Sequence, residues 1–384
     1  MNVPYSMANI LDEVDLYVTM ECNLNCSFCS VRANEYHNKA LPLKRIIELI
    51  CEAIDLGMQQ LHLTGGEPTL RPELEEIICY ATKKGVETRL ITNGTLLDRN
   101  HLSQLQDAGL SNIMVSIDGL EPTHNLLRGS SDAWRKAVDC VQAAVELGIC
   151  TRMSSVVFQN NIDEIPKLIE IANNLGVHIF SVFLGSPLGR GVIWKNRVVT
   201  PTAWRVFLES LLARIPKSEY GSHMEIIAEQ GFLWPDTLGF DPTSMKGRGV
   251  GCSTLLDDFE YLIIREDGNL YQCVFFLHDG TPIGNVANQS LANALIHAKE
   301  LSDYAKFIEL GNTCSICQWN HLCGGGCRGY SFLYSGDWHQ PDPRCAAKEN
   351  TLPPQYYPLC PIAKLNLRTG RIGGSSEHAL SAND

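Results

Sequence analysis

The sequence predicts an α/β protein in which an open barrel of alternating strands and helices precedes a smaller cysteine-rich domain. Two observations lead to this prediction. The first 185 residues alternate between short β-rich runs and amphipathic helical patterns, whereas most of the later cysteines cluster between residues 252 and 345. The chain of 384 residues is also long enough for two hydrophobic cores.

Six strands are predicted in the first part, at 16–20, 60–63, 87–91, 112–117, 151–157 and 178–184. Helical patterns lie between them, near 43–56, 72–84, 99–108, 133–147 and 162–175. Alternation with connections of this length implies parallel strands that are joined by right-handed crossovers. Six such units fit a partial, TIM-like (β/α)6 barrel.

Polar or glycine-rich residues follow five of the six predicted strands. A cysteine loop at 22–29 follows the first strand, GGEP at 65–68 follows the second, and TNG at 92–94 follows the third. SID at 116–118 closes the fourth strand, and a glycine-rich segment at 185–191 follows the sixth. Because active sites of parallel barrels lie at the carboxyl ends of the strands, we expect a site at this end.

The cysteine loop has the spacing C-x3-C-x2-C, formed by Cys22, Cys26 and Cys29. Three thiolates at this spacing can hold three irons of a [4Fe-4S] cube. The fourth iron then lacks a protein ligand, so it can bind a small molecule and pass it an electron. The loop therefore predicts a redox enzyme.

The net charge and the absence of targeting signals indicate which partners and which compartment to expect. The balance of 31 Lys+Arg against 43 Asp+Glu gives a net charge of −12, which disfavours nucleic acid or an anionic membrane as partner. The first 15 residues lack the basic start and apolar core of a secretory signal, and no apolar run approaches the ~20 residues of a membrane span. We therefore expect a cytoplasmic protein, in which clustered cysteines are metal ligands rather than disulfides.

The cysteine loop with its aromatic Phe28, together with the GGEP segment at 65–68, resembles the radical S-adenosylmethionine (SAM) enzymes. The resemblance covers roughly residues 1–190. It implies that the open iron chelates the amino and carboxylate groups of SAM. An electron from the cluster then cleaves SAM to methionine and a 5′-deoxyadenosyl radical, which abstracts a hydrogen atom from the substrate. The cofactor supplies this chemistry, and the protein supplies orientation and exclusion of water.

The resemblance also implies a set of SAM contacts at the strand ends. Glu67 is expected to accept from the methionine ammonium, and Arg128 to pair with the methionine carboxylate. Ser116 is expected to make a polar contact, whereas Asp118 either contacts SAM or braces its own loop. The other expected contacts are Phe28, Gly65, Gly66, Pro68, Asn93 and Gly185.

A second cysteine group follows a longer pattern that includes a predicted hairpin over 261–271 with Asp-Gly at its turn. Its members are Cys252, Cys273, Cys314, Cys317, Cys323, Cys327 and Cys345. Structural zinc is one interpretation, because Cys-x2-Cys pairs are common zinc ligands. The full spacing instead resembles the SPASM domain, a small extension of many radical SAM enzymes with a β-hairpin and short helices.

The SPASM resemblance implies two auxiliary [4Fe-4S] clusters, and therefore three clusters in the chain. The outer cluster would be held by Cys314, Cys317, Cys323 and Cys345, and the inner cluster by Cys252, Cys273 and Cys327. The inner cluster either keeps an open iron or recruits Cys360, Asp257 or Asp258. Cys360 has two further interpretations, as a packing thiol or as a catalytic donor that returns a hydrogen atom to a substrate radical.

The predicted organisation is a radical SAM barrel at 1–190, a bridging region at 191–250 with a helix near 203–214, a SPASM domain at 251–365 and a disordered tail at 366–384. The commonest role of such enzymes is maturation of a ribosomally made peptide by crosslinking, oxidation or epimerisation, in natural product biosynthesis. Because only 21 residues precede Cys22, leader binding would need a separate protein. The alternative is a dehydrogenase or epimerase of a small molecule such as an aminosugar. Either enzyme would take electrons from a flavodoxin- or ferredoxin-type donor.

Overall fold

The computed structural model describes residues 10–35, 39–214, 223–228, 261–277, 282–300, 311–316, 326–342, 364–366 and 372–373. Its strands are β1 (Glu13–Thr19), β2 (Gln60–Gly65), β3 (Glu87–Thr92), β4 (Asn112–Ser116), β5 (Cys150–Val157), β6 (Ile179–Leu184), β7 (Glu225–Ala228), β8 (Tyr261–Ile264), β9 (Asn269–Tyr271), β10 (Gly284–Asn285), β11 (Lys364–Asn366) and β12 (Ile372–Gly373). Its helices are α1 (Leu43–Asp55), α2 (Leu74–Lys83), α3 (Arg99–Asp107), α4 (Glu121–Arg128), α5 (Ala133–Glu146), α6 (Ile165–Leu175), α7 (Pro201–Arg214), α8 (Leu291–Glu300), α9 (Asn312–Ser315) and α10 (Arg328–Ser335).

The described strands form one sheet with the order β10-β9-β8-β1-β2-β3-β4-β5-β6-β7-β11-β12. Strands β1 to β6 are consecutive parallel neighbours, which confirms the predicted partial barrel. Two further parallel strands flank them, β8 beside β1 and β7 beside β6. Strand β7 lies in the bridging region, where the sequence predicts no strand.

Successive side chains alternate between the two faces of each barrel strand. On β1, Val14, Leu16 and Val18 belong to the main hydrophobic core between the sheet and its helices. Asp15 and Tyr17 therefore lie on the opposite face, inside the barrel. Helix α1 meets the same core with buried residues at the i, i+3, i+4 and i+7 positions of an amphipathic helix, which are Ile46, Leu49, Ile50 and Ala53.

The predicted hairpin is confirmed by the antiparallel pairing of β8 and β9, with Gly268 at φ +85° in the turn. Through β8 the hairpin joins the edge of the barrel sheet beside β1. Cys273 follows β9, Cys314 lies in α9, and Cys327 immediately precedes α10. The other residues predicted as cluster ligands or as a catalytic donor, Cys252, Asp257, Asp258, Cys317, Cys323, Cys345 and Cys360, lie outside the described residues.

Two elements outside the predicted barrel join its sheet and core. Strand β11 pairs antiparallel with β7 and with β12, so residues 366, 372 and 373, which fall in the segment predicted as a disordered tail, lie in strands. Strand β11 covers the edge of β7 that faces away from β6, and an uncovered strand edge is a template for another strand. Helix α7 carries the fully buried Trp204 into the main core, so this part of the bridging region packs on the barrel. Within the described residues, no helix is long and apolar enough to cross a membrane.

Candidate active site

The cysteine loop leaves the carboxyl end of β1, and each of its three sulfurs receives an N–H donor. The backbone N–H of Leu24 lies 3.4 Å from Cys22 Sγ, and that of Ala33 lies 3.5 Å from Cys29 Sγ. The guanidinium Nη1 of Arg128 lies 3.8 Å from Cys26 Sγ. Donors aimed at sulfur favour the thiolate form that binds metal.

Burial opposes this effect. It raises the pKa of Cys22 to about 11 and also raises the pKa of Cys26, whereas Arg128 acts in the opposite direction on Cys26. The thiols of Cys22 and Cys26 are therefore protonated near neutral pH before metal binds, and metal uptake must release their protons.

The sulfur positions fit a cluster better than a single ion. Two sulfurs that bind one zinc ion at about 2.3 Å are at most about 4.6 Å apart. Among the described residues, the three loop cysteines do not form a group whose ligand atoms all lie within 4.8 Å of one another. Their wider spacing suits an iron–sulfur cube, in which each cysteine binds a different iron.

Arg128 lies between the cysteine loop and Asp118. Its Nε and Nη2 donate to Asp118 Oδ2 at 2.7 and 2.5 Å, and its guanidinium also lies 5.3 Å from the centre of the Phe28 ring. Asp118 is fully buried, and the ion pair raises the pKa of Arg128 above its usual value against the opposing effect of burial. The guanidinium is therefore a fixed positive charge beside Cys26. Its expected pairing with the SAM carboxylate remains a prediction.

Asp118 braces the end of β4. Its Oδ1 accepts from the backbone N–H of Val156 at 2.9 Å, and its carbonyl oxygen accepts from Asn161 Nδ2 at 2.5 Å. Its own backbone N–H donates to His124 Nδ1 at 3.1 Å. These hydrogen bonds brace the loop and orient the carboxylate toward Arg128, and a contact of Asp118 with SAM remains a prediction.

The GGEP segment at 65–68 packs directly on the backbone of the cysteine loop. The N–H of Gly66 donates to Thr19 O at 2.8 Å, and the N–H of Glu67 donates to Glu21 O at 2.8 Å. Gly65 has φ +142°, and a Cβ atom there would lie 2.1 Å from Thr19 O. Only glycine fits this contact, so the two loops are held together by their backbones.

Glu67 is fully buried, and both of its carboxylate oxygens accept hydrogen bonds from the protein. Oε1 accepts from the hydroxyls of Thr69 and Thr92, each at 2.7 Å, and Oε2 accepts from the N–H of Asn93 at 2.8 Å. Burial still raises the pKa of Glu67 above its usual range. The side chain therefore ties the ends of β2 and β3 together, and its expected contact with the SAM ammonium remains a prediction.

The other predicted contacts surround the same end of the barrel. Asn93 donates through Nδ2 to Asn23 Oδ1 at 2.9 Å, which links the β3 end to the cysteine loop. Ser116 is half-buried at the end of β4, and Pro68 is buried beside Glu67.

Aromatic rings enclose the loop on its other side. Phe158 lies between Phe28 and Trp194, with ring centres 5.8 and 5.6 Å apart. Gly185 is buried against Phe158, and a Cβ atom there would lie 2.6 Å from the ring. These rings line an apolar side of the loop and can exclude water from it.

Two loop-holding residues are missing from the sequence predictions. Asn34 accepts from the N–H of Cys22 and donates to its carbonyl oxygen, both at 2.8 Å. Arg190 donates to Cys26 O at 2.9 Å and to Ala33 O at 2.7 Å. The sequence offers only weak signals for these two roles. Asparagine tolerates a positive φ, which is 68° at Asn34. Arg190 lies in the glycine-rich segment at 185–191.

The hairpin brings a second cysteine region against the barrel. Tyr17 of β1 is buried in a small cluster with Ile263, Tyr271 and Phe276, and Cys273 packs against this cluster. The Tyr330 hydroxyl of α10 bonds to Ser186 Oγ, next to the expected SAM loop. Of the seven cysteines in the second pattern, Cys273, Cys314 and Cys327 are described, and the ligand sets stay a prediction.

Residues 16–172 match the sequence model of the Radical SAM superfamily. These residues therefore form a radical SAM domain. The matched residues span β1 to the middle of α6, which includes the cysteine loop, the GGEP segment and Arg128. The radical SAM domain makes the chain an enzyme and implies SAM and an iron–sulfur cluster as its cofactors.

Similarity to known proteins extends well beyond the radical SAM domain. The AdoMet-dependent heme synthase of Methanosarcina barkeri (strain Fusaro) is 27% identical over 344 residues, which cover 85% of this chain and 94% of that protein. The PqqA peptide cyclase of Bradyrhizobium diazoefficiens is 26% identical over 340 residues, which cover 86% of this chain and 85% of that protein. The crystal structure of Streptococcus suis SuiB bound to precursor peptide SuiA shares the fold, with a TM-score of 0.71, 17% identity and coverage of 88% of this chain and 76% of SuiB.

Proposed function

We propose that this radical SAM enzyme matures a ribosomally made peptide and carries two auxiliary [4Fe-4S] clusters in the region 251–365. The similarity to PqqA peptide cyclase, which covers 86% of this chain, supports a peptide substrate most directly. The shared fold with a precursor-bound peptide enzyme is compatible with it. The described cysteines Cys273, Cys314 and Cys327 would contribute to the auxiliary clusters.

The residues of the loop fit the SAM-binding cluster. Cys22, Cys26 and Cys29 would hold three of its irons, and the cluster with SAM supplies the 5′-deoxyadenosyl radical when both are bound. Arg128 offsets the negative charge of the Cys26 thiolate, because its guanidinium is buried 3.8 Å from the sulfur. The GGEP backbone holds the loop in place, and the rings of Phe28 and Phe158 exclude water from one side.

Loss of one loop cysteine tests the cluster assignment. Anaerobically reconstituted wild-type protein should hold about twelve irons, the sum of three four-iron cubes. Cys26→Ala should hold about eight irons and make no 5′-deoxyadenosine from SAM under strong reductant. Cys79→Ala is the matched control, since this half-buried thiol of α2 lies outside both cysteine patterns and should leave iron and SAM cleavage unchanged. Zinc without sulfide in the wild type, or retained cleavage in Cys26→Ala, would contradict the assignment.

Isotope transfer tests the substrate class. A short precursor peptide encoded beside this gene, deuterated at its side chains, should pass deuterium into 5′-deoxyadenosine and change in mass. If 5′-deoxyadenosine stays unlabelled and the peptide keeps its mass while SAM is cleaved, the peptide assignment fails. We also propose a separate leader-binding protein and a flavodoxin- or ferredoxin-type electron donor. Both proteins can be added to the same assay.

A small-molecule substrate is the second candidate, and the similarity to AdoMet-dependent heme synthase over 94% of that protein favours it. In that case the label should come from a deuterated small molecule rather than from a peptide. An aminosugar is one such substrate, and a porphyrin is the one that the name of the relative indicates.

The role of Cys360 stays a prediction with three separable outcomes in Cys360→Ala. Loss of iron with an altered cluster spectrum supports the role of ligand to the inner cluster. Full iron and SAM cleavage with a stalled or altered product support the role of hydrogen donor. Wild-type iron and turnover leave a packing thiol, with the inner cluster either open or bound by Asp257 or Asp258.

A further inference from the structure

The barrel interior holds a second group of potential metal ligands, separate from the cysteine loop. Glu13 and Asp15 lie two residues apart on the inner face of β1, and His62 is the register partner of Asp15 on β2. Glu13 and His62 are 7% and 4% exposed, and the Asp15 side chain is 15% exposed. Two neighbouring strands therefore present two carboxylates and one imidazole to the same point.

The three ligand atoms lie at the spacing of a coordination sphere. His62 Nδ1 lies 2.9 Å from Asp15 Oδ1 and 3.1 Å from Glu13 Oε1. Within the described residues, this is the only group of three or more His, Cys, Asp or Glu ligand atoms that all lie within 4.8 Å of one another. Ligands about 2.1 Å from an ion and at right angles are about 3 Å apart, so one ion fits with little movement of the side chains.

A cation accounts for this group better than hydrogen bonding alone. The Nδ1 atom carries at most one proton, so it cannot donate fully to two carboxylate oxygens. Two buried carboxylates at one point also require positive charge, which a divalent ion supplies to both. The other ring nitrogen, Nε2, is buried and has no hydrogen-bond partner among the described residues. Metal at Nδ1 would fix the proton on Nε2, which then points an N–H donor toward a water or substrate group in the barrel.

A further hydrogen bond orients the Asp15 carboxylate, as is usual for carboxylates that bind metal. The Tyr261 hydroxyl donates to Asp15 Oδ2 at 2.5 Å, so Oδ1 is left to face His62. Tyr261 belongs to β8, and the group therefore connects three adjacent parallel strands.

We propose that Glu13, Asp15 and His62 bind one divalent first-row transition-metal ion inside the barrel. Two carboxylate oxygens and one imidazole nitrogen favour Mn²⁺, Fe²⁺ or Zn²⁺ over Mg²⁺, which prefers an all-oxygen site. His62 precedes Gly65, the last residue of β2, by three positions, which places the site about 10 Å below the carboxyl end of the strand. The ion is thus distinct from the predicted clusters, and it joins β1 and β2 directly and β8 through Tyr261.

Mn²⁺ is the probe that tests this site. Holoenzyme with its iron–sulfur clusters oxidised is freed of loosely bound metal by chelation and titrated with Mn²⁺, with free Mn²⁺ followed by electron paramagnetic resonance. We expect one Mn²⁺ per chain and nitrogen modulation of its signal from the imidazole of His62. Either His62→Gln or Asp15→Asn should weaken binding at least tenfold, and His62→Gln should abolish the nitrogen modulation.

The control is Glu87→Gln, which changes a half-buried carboxylate of β3 that accepts from Asn112 Nδ2 at 2.5 Å. It should bind Mn²⁺ like the wild type. No Mn²⁺ bound by the wild type, or wild-type affinity in both ligand variants, would overturn the proposal and leave a charge network that includes Arg89, the register partner of His62. Iron content and circular dichroism verify folding. If one ligand variant does not fold, the other decides.

Discussion

Replacing Arg128 with methionine should destabilise the barrel and disturb the SAM cluster at the same time. The substitution keeps an unbranched apolar side chain but removes three polar contacts, two to Asp118 Oδ2 at 2.7 and 2.5 Å and one to Cys26 Sγ at 3.8 Å. Asp118 is fully buried, so its carboxylate would lose its cation without gaining water. Breaking a buried ion pair on one side costs about 3–5 kcal/mol, and we expect a loss of this size in the free energy of unfolding.

The matched variant is the double substitution Arg128→Met with Asp118→Asn. It removes the orphaned charge, so it should recover much of the stability that Arg128→Met loses, since an amide can still accept the N–H of Val156. Urea unfolding of the anaerobic protein, followed by circular dichroism, measures both values. Equal stability of wild type and Arg128→Met, or no recovery in the double variant, would refute the reasoning.

The same contact should set the reduction potential of the SAM cluster. A positive charge beside a cysteine thiolate favours the reduced, more negative cluster. Arg128→Met should therefore shift the potential to a more negative value, and the shift should persist in the double variant because both lack the guanidinium. A redox titration followed by electron paramagnetic resonance measures it, and an unchanged potential would show that Arg128 acts only on stability.

Two further predictions concern the contact between GGEP and the cysteine loop and the histidine that bonds to Asp118. Gly65→Ala should cost at least about 2 kcal/mol of stability, because a Cβ atom would lie 2.1 Å from Thr19 O in addition to the positive φ. Gly85→Ala is the control, with φ +84° but nothing within 4 Å of its Cβ, and should cost about 1 kcal/mol or less, so equal losses would contradict the role of the close contact. Burial lowers the pKa of His124 to about 3, so stability should be complete above the unfolded pKa of about 6.5 and fall as the pH drops toward 3. At pH 5 the loss from this group is about 2 kcal/mol, and His124→Asn, which keeps an acceptor for the N–H of Asp118, should remove that part of the pH dependence.

The strand and helix positions in the barrel can be predicted because they depend on local patterns. The six predicted strands end within two residues of their observed ends, since apolar alternation and glycine-rich turns mark them. Helix α4 is absent from the prediction because its apolar residues do not form a continuous stripe. Its signal lies instead in Pro122 near its start and Gly129, with φ +69°, just after its end.

The positions of the site residues can be predicted, but their partners cannot. Glu67, Asp118 and Arg128 all lie at the predicted end of the barrel. Sequence spacing does not show that Arg128 faces Asp118, because this depends on the path of α4 from one strand end back to the cysteine loop. In the same way, burial of Glu67 between two strand ends is a tertiary property, so its hydrogen bonds to Thr69, Thr92 and Asn93 cannot be predicted from the sequence.

The pairing of β8 with β1 brings Cys273 to the sheet that leads into the cysteine loop, although the two lie far apart in sequence. Strand β1 leads directly into the cysteine loop, and β8 leads through the hairpin to Cys273. Tyr17 lies between these regions, where burial chiefly raises its pKa and the charges of Asp15, Cys29 and Cys273 raise it further. Because β8 is a strand of the barrel sheet and β9 pairs with it, backbone hydrogen bonds hold the segment before Cys273 to the strand that leads into the cysteine loop.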